Sequence, residues 1–175
     1  MNIVYLLLGS NLGERKQYLE SACARLVAEL LPARMQVKQN EAVRYSSVYE
    51  TEPWGFESRN KFLNMAMMLY TEMDPLRVLG ICKDIEQELG RERHGAERDG
   101  DGRRIYSSRT IDIDILLFYK DGEPVVMDNE ELTIPHPRMA ERLFAIEPLS
   151  EIAGELRHPV VGTSIKEMLS QLKQR

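Results

Sequence analysis

Cysteine is scarce in this chain, with Cys23 and Cys82 the only two among 175 residues. Both fall at apolar positions of helical patterns, and neither has partners at metal-ligand spacing. A disulfide framework or a thiolate metal site is therefore not expected, and reduced, buried thiols in a cytoplasmic protein are. Long hydrophobic runs are also missing: nothing approaches the roughly 18 uninterrupted apolar residues that a membrane span needs. No cationic stretch precedes the first apolar run, which gives way at Gly9, so no secretory signal is expected. Repeats, low-complexity tracts and linkers are absent too, which favours one domain over residues 1–175. An excess of positive charge is lacking as well. Lysine and arginine number 23 against 28 acids, a net charge of −5, so neither nucleic acid nor an anionic membrane is an expected partner. A monomer is the expected state.

What is present is a globular composition, 43% hydrophobic and 29% charged, in a chain long enough to bury roughly 70% of the surface it exposes when unfolded. The charge is unevenly placed. Residues 91 to 109 carry six arginines (91, 93, 98, 103, 104 and 109) against four acids, so this stretch is +2 and the remainder −7. It has no apolar periodicity and contains Gly95, Gly100 and Gly102, which predicts a long mobile loop. A local basic segment in an acidic protein suits a small anionic ligand, and a solvated charged loop accounts for it equally well at this point.

Along the chain, Asn2 to Leu8 reads as a buried strand punctuated by Gly9-Ser10-Asn11. Leu19, Ala22, Cys23, Leu26, Val27 and Leu30 recur at helical spacing, with Pro32 as the stop. A strand-like region is expected from about Met35 to Thr51, then a loop at Glu52-Pro53-Trp54-Gly55, then a strand from Phe62 to Met73. Asp74-Pro75 predicts a capped helix with Leu76, Leu79, Cys82, Ile85 and Leu89 on its inner face, ended by Gly90. Thr110 to Phe118 alternates before turning fully apolar, as a strand entering the core does. This order predicts an α+β fold with a ferredoxin-like βαββαβ core, its antiparallel sheet packed by helices. A C-terminal extension would add helices near Met139 to Pro148 and Ser164 to Leu172.

Asp112 and Asp114 sit two apart on a predicted strand, so both carboxylates share a face and Ile111, Ile113 and Ile115 take the other. Two such carboxylates repel unless a cation or donors lie between them, and oxygen ligands suit Mg²⁺. An outward polar strand face is the plainer account. The arginine segment immediately before it favours metal, because Mg²⁺ and arginines together are what a polyphosphate needs. Arg109 stands an odd number of positions from Asp112, so it lies just outside the regular strand or reaches the same side through its long side chain. Arg91 could serve a ligand or simply sit at a helix C-terminus, or pair with Glu86. His136, held between Pro135 and Pro137, could donate to a phosphate or accept a proton, or be an ordinary loop histidine. Trp54, Phe62 and Asn64, with Arg142 and Phe144 downstream, suit a flat heterocycle, although both phenylalanines could be core.

Taken together, Leu8-Gly9-Ser10-Asn11-Leu12-Gly13, Tyr49-Glu50-Thr51, Phe62-Leu63-Asn64, Ile85-Glu86 with Leu89-Gly90-Arg91, Arg109-Thr110-Ile111-Asp112-Ile113-Asp114-Ile115-Leu116, and Ile134-Pro135-His136-Pro137-Arg138-Met139 with Arg142 and Phe144 resemble the 6-hydroxymethyl-7,8-dihydropterin pyrophosphokinase family. The resemblance runs in order from about Tyr5 to Pro148. It implies transfer of the pyrophosphoryl group of ATP, the co-substrate, to the hydroxymethyl oxygen of the pterin, releasing AMP, in folate biosynthesis. It further implies two Mg²⁺ ions on Asp112 and Asp114, and a triphosphate held by Arg91, Arg109 and His136, with Arg142 joining as loops close. Glu86 would orient neighbours of the nucleotide. Thr51 and Asn64 would bond the pterin, Phe62 and Phe144 would stack on it, and Trp54 would close over it. Where many members have a short R-W-G-P-R segment, this chain has Arg103-Arg104-Ile105-Tyr106-Ser107-Ser108-Arg109. Two rivals from other classes are weighed against this reading. An RNA-binding module would need aromatics where the sheet presents carboxylates. A palm-type nucleotidyltransferase would release pyrophosphate rather than AMP.

Overall fold

The computed structural model describes residues 1–53, 60–90 and 110–175. Trp54, Arg91, Arg109 and the arginine-rich stretch between the last two, expected as a long loop, lie outside them. The elements are β1 (Asn2–Ser10), α1 (Arg15–Leu30), α2 (Ala33–Gln36), α3 (Gln39–Ala42), β2 (Val43–Tyr45), β3 (Tyr49–Thr51), β4 (Phe62–Thr71), α4 (Pro75–Glu88), β5 (Asp112–Lys120), β6 (Glu123–Pro124), β7 (Met127–Asp128), β8 (Thr133–Ile134), a 3₁₀ turn (Met139–Glu141), α5 (Leu143–Ala153) and α6 (Ile165–Lys173).

β1 is the central strand, antiparallel to β4 on one side and β5 on the other. The main sheet runs β2-β4-β1-β5-β6, with β3 also paired to β4. The near-continuous apolar run of β1 follows from cover on both faces. Val4, Leu6 and Leu8 join a core with the inner faces of α1 and α4, while Tyr5 and Leu7 join a second core with α5 and α6. Fully buried Leu6, Leu8 and Phe118 each contribute about 1.5–3 kcal/mol relative to exposure. Among the described residues no helix is long and apolar enough to cross a membrane.

The helix termini follow local chemistry. Asp74 caps α4 by accepting the Arg77 N–H at 2.9 Å, with Pro75 at the first position. Ser164 and Glu167 cap α6 reciprocally. α1 buries the six residues its periodicity predicts, and β5 starts at Asp112, with Ile113 and Ile115 buried.

Three expectations need correction. Met35 to Thr51 is not one strand: it includes part of α2, all of α3, and two three-residue strands. Ala33–Ala42 is rich in helix formers, and Val37 is 92% exposed, so extended backbone there has no apolar face to bury. Leu76 lies on the outer side of α4, and Val78 takes the inner position instead. Gly9 does not end the first strand, since β1 continues through it to Ser10.

Candidate active site

The register across three strands builds the site. Gly9 pairs with Asn64 of β4 on one side and Asp112 of β5 on the other, so Asn64, Gly9 and Asp112 form one row with side chains on a common face. The next row is Ala66, Leu7 and Asp114. Leu7 and Ala66 belong to the core covered by α5 and α6, so the carboxylates share that face of the sheet, beyond its apolar part. At the usual strand spacing Asn64 and Asp112 stand about 10 Å apart, and the two aspartates about 7 Å apart along β5. That span suits a flat ring at one end of the row and phosphates at the other.

β3 completes the ring end. Thr51 pairs with Phe62, and Tyr49 with Asn64. Asn64 is buried, and its Nδ2 donates to Thr51 Oγ1 at 2.6 Å. The threonine hydroxyl, having accepted that bond, keeps its own proton for a ligand, and the carboxamide presents Oδ1 as an acceptor. Phe62 is half-buried beside them. At the start of α5 the Arg142 guanidinium lies 5.5 Å from the Phe144 ring centroid. Arg142 is buried and Phe144 half-buried.

His136 is tied to the aspartate strand through its backbone. The register between β1 and β5 slips after Tyr5, which leaves Leu116 as the extra residue of a bulge. The Leu116 carbonyl accepts the His136 N–H at 2.9 Å. The His136 Nδ1 accepts the Arg138 N–H at 3.2 Å, so the neutral ring carries its proton on Nε2. A histidine in that tautomer is a donor at its far nitrogen, as phosphate binding requires. The peptide bond between Ile134 and Pro135 is cis.

Among the described residues no three histidines, cysteines or acids gather into a metal cluster. Two carboxylates on one face fit Mg²⁺ nonetheless, because that ion commonly takes one or two protein carboxylates and completes its shell with water and phosphate oxygens. Glu86 is buried near the end of α4, the helix that covers the opposite face of the sheet, and does not join the row. Cys82 on the same helix feels Asp114: burial first, and then that negative charge, push its thiol up to about 12.

Two features escaped the sequence reading. Gly9 occupies the middle of the functional row, and the available signal was a glycine inside a strand pattern. Glu151 of α5 accepts the Ser47 N–H at 2.9 Å, the Ser47 hydroxyl at 2.8 Å and the Tyr49 hydroxyl at 2.8 Å, anchoring the start of β3. Its hydrogen bond from Tyr49 holds the Glu151 carboxyl below its ordinary value, and the same bond pushes the phenol up to about 12. Nothing local in the sequence links positions 47 and 49 to 151.

Residues 5–154 match the family model described as 7,8-dihydro-6-hydroxymethylpterin-pyrophosphokinase (HPPK). The chain belongs to this family. A 2-amino-4-hydroxy-6-hydroxymethyldihydropteridine pyrophosphokinase of Bacillus subtilis is 40% identical over 158 residues, covering 89% of this chain and 80% of that protein. One of Porphyromonas gingivalis is 42% identical over 163 residues, covering 93% and 98%. Among solved structures, Plasmodium falciparum HPPK-DHPS superposes with a TM-score of 0.68 at 17% identity, covering 99% of this chain. That likeness shows the HPPK fold, a mixed helix and antiparallel-sheet architecture. This chain spans 41% of that longer one.

Proposed function

We propose that the row Asn64–Gly9–Asp112, with Asp114 one step behind, is where the pterin and ATP meet. As an HPPK, the chain transfers the pyrophosphoryl group of ATP to 6-hydroxymethyl-7,8-dihydropterin in folate biosynthesis. The observation that carries the site is the register putting Asn64, bonded to Thr51, and the aspartate pair on one face at opposite ends of the row.

Thr51 and Asn64 read the polar edge of the pterin, Phe62 and Phe144 stack on its faces, and Trp54 closes over it. His136 donates from Nε2 to a phosphate oxygen. Arg91, Arg109 and Arg142 balance triphosphate charge. Asp112 and Asp114 would hold two Mg²⁺ ions, which would supply positive charge to offset that of the moving group. In the reaction the hydroxymethyl oxygen attacks the β-phosphorus and the bond from that phosphorus to the α-phosphate oxygen breaks. AMP departs, and the hydroxyl proton passes to the Asp114 carboxylate. Positioning and charge supply most of the acceleration, since such a transfer needs little covalent chemistry from the protein.

The strand order β2-β4-β1-β5 supports reading the core as ferredoxin-like, with the segment after β5 as its C-terminal extension and residues 1–175 as a single domain. The reading includes a monomeric, cytoplasmic enzyme without nucleic-acid or membrane partners. The test is to incubate the protein with ATP, Mg²⁺ and the hydroxymethyl pterin and to resolve the nucleotides. AMP appearing in step with pterin diphosphate is expected, whereas ADP or free pyrophosphate as the product would refute the reaction.

A further inference from the structure

We infer that Gly9 is a positioning residue for pterin recognition: the missing side chain is the space that sets the Asn64 carboxamide against Thr51. This rests on the assignment of Asn64 and Thr51 to the pterin site.

A glycine in the middle of a central strand weakens the sheet and needs a local reason. Backbone conformation is not that reason. Among the described residues positive φ occurs at Gly13, Gly90, Gly122, Gly162 and Asp121, and Gly9 is not one of them. Space is the reason. A Cβ at Gly9 would lie 2.9 Å from Asn64 Oδ1, closer than such atoms approach, and 3.7 Å from Phe62 Cδ1. Asn64 has no freedom to yield, being 4% exposed with Nδ2 held by Thr51 Oγ1 at 2.6 Å. Turning the carboxamide away from β1 would break that bond and misdirect the acceptor Oδ1. The Phe62 ring obstructs one way out, and the Leu63 carbonyl stands 3.9 Å from the same point. One methyl group at position 9 would thus reorder the donor and acceptor pattern at the ring end of the row without adding or removing a polar group.

The test is a double-mutant cycle of Gly9→Ala and Asn64→Ala, read by calorimetric titration of the hydroxymethyl pterin in the presence of Mg²⁺ and a nonhydrolysable ATP analogue. Affinity for the analogue itself is measured separately. Gly9→Ala is expected to weaken pterin binding at least tenfold and to leave nucleotide affinity within twofold. In the Asn64→Ala background the same change should cost less than twofold, because the atom it collides with is gone. An equal loss in both backgrounds would overturn the inference, since Gly9 would then act on the sheet rather than through Asn64. So would unchanged pterin affinity in Gly9→Ala. If Asn64→Ala itself leaves pterin affinity unchanged, the pterin-site assignment fails first and the inference with it. Should Gly9→Ala not fold, recovery of the fold in the double variant supports the collision, and failure of both variants overturns it.

Discussion

Asp112 and Asp114 owe their shared face to the alternation of β5, and the metal assignment makes them the most demanding residues to test. Replacing either with asparagine keeps its shape and removes one charge. The fold should survive, while turnover falls at least about a hundredfold, equivalent to ~2.7 kcal/mol of transition-state stabilisation. Variants that fold normally and turn over within a few fold of the parent would remove the metal site from these residues. Asn64 makes a different kind of contribution, since its carboxamide meets a ligand edge and not a moving charge. Asn64→Ala should cost about 1–3 kcal/mol of pterin binding, as ring donors or acceptors lose partners, and should leave nucleotide binding nearly intact. Calorimetry with each ligand separates the two effects.

β3 is only three residues long, too short to be held firmly by its pairing with β4, and it carries Thr51. The three hydrogen bonds on Glu151 supply the missing anchorage from α5, the helix that also presents Phe144. The two walls of the ring site are thus referred to one element. Tyr49 and Glu151 make this anchorage dependent on pH in a direction that follows from their shifts. The depressed Glu151 carboxyl contributes stability that is present above its reference value of 4.5 and lost as pH falls through its lower folded value. The raised Tyr49 phenol contributes stability that is fully present below its reference of 10.0 and lost as pH rises through about 12. The Tm difference between the parent and Tyr49→Phe should therefore be flat from about pH 5 to pH 9 and close on either side. A difference that grows in acid would contradict the pairing. At the far end of the chain, Ser164→Ala removes one half of the α6 capping box. It should cost about 1 kcal/mol, visible as a Tm lower by about 2–4 °C.

Across the whole molecule one core, the one shared by the sheet with α1 and α4, buries both thiols, and burial pushes each up to about 12. Raised in this way, both thiols stay protonated at ordinary pH, so alkylation should proceed at the rate of opening and not of reagent encounter. Rapid labelling of either cysteine in the native protein would contradict this packing. The parts of the fold legible in the sequence were those carried by periodicity: the apolar run of β1, the inner face of α1, and the alternation that put Asp112 and Asp114 together. Periodicity tells which residues share a face and is silent about which strand lies alongside. The Asn64–Gly9–Asp112 row and the reach of Glu151 to Ser47 and Tyr49 therefore became visible only with the register. The Met35 to Thr51 stretch was misread because short helices of mixed polarity carry too few turns to show a period. The bulge at Leu116 has a consequence for solubility. Its carbonyl is taken by the His136 N–H, the Phe118 carbonyl by the Val125 N–H at 2.8 Å, and the end of β5 by β6. The proline-rich stretch around His136 thus works as a guard rail along an otherwise sticky border of the sheet, since Pro135 and Pro137 have no N–H to offer an incoming strand. Loosening it would invite chains to add onto one another, so damage to this segment would appear as self-association as well as lost turnover.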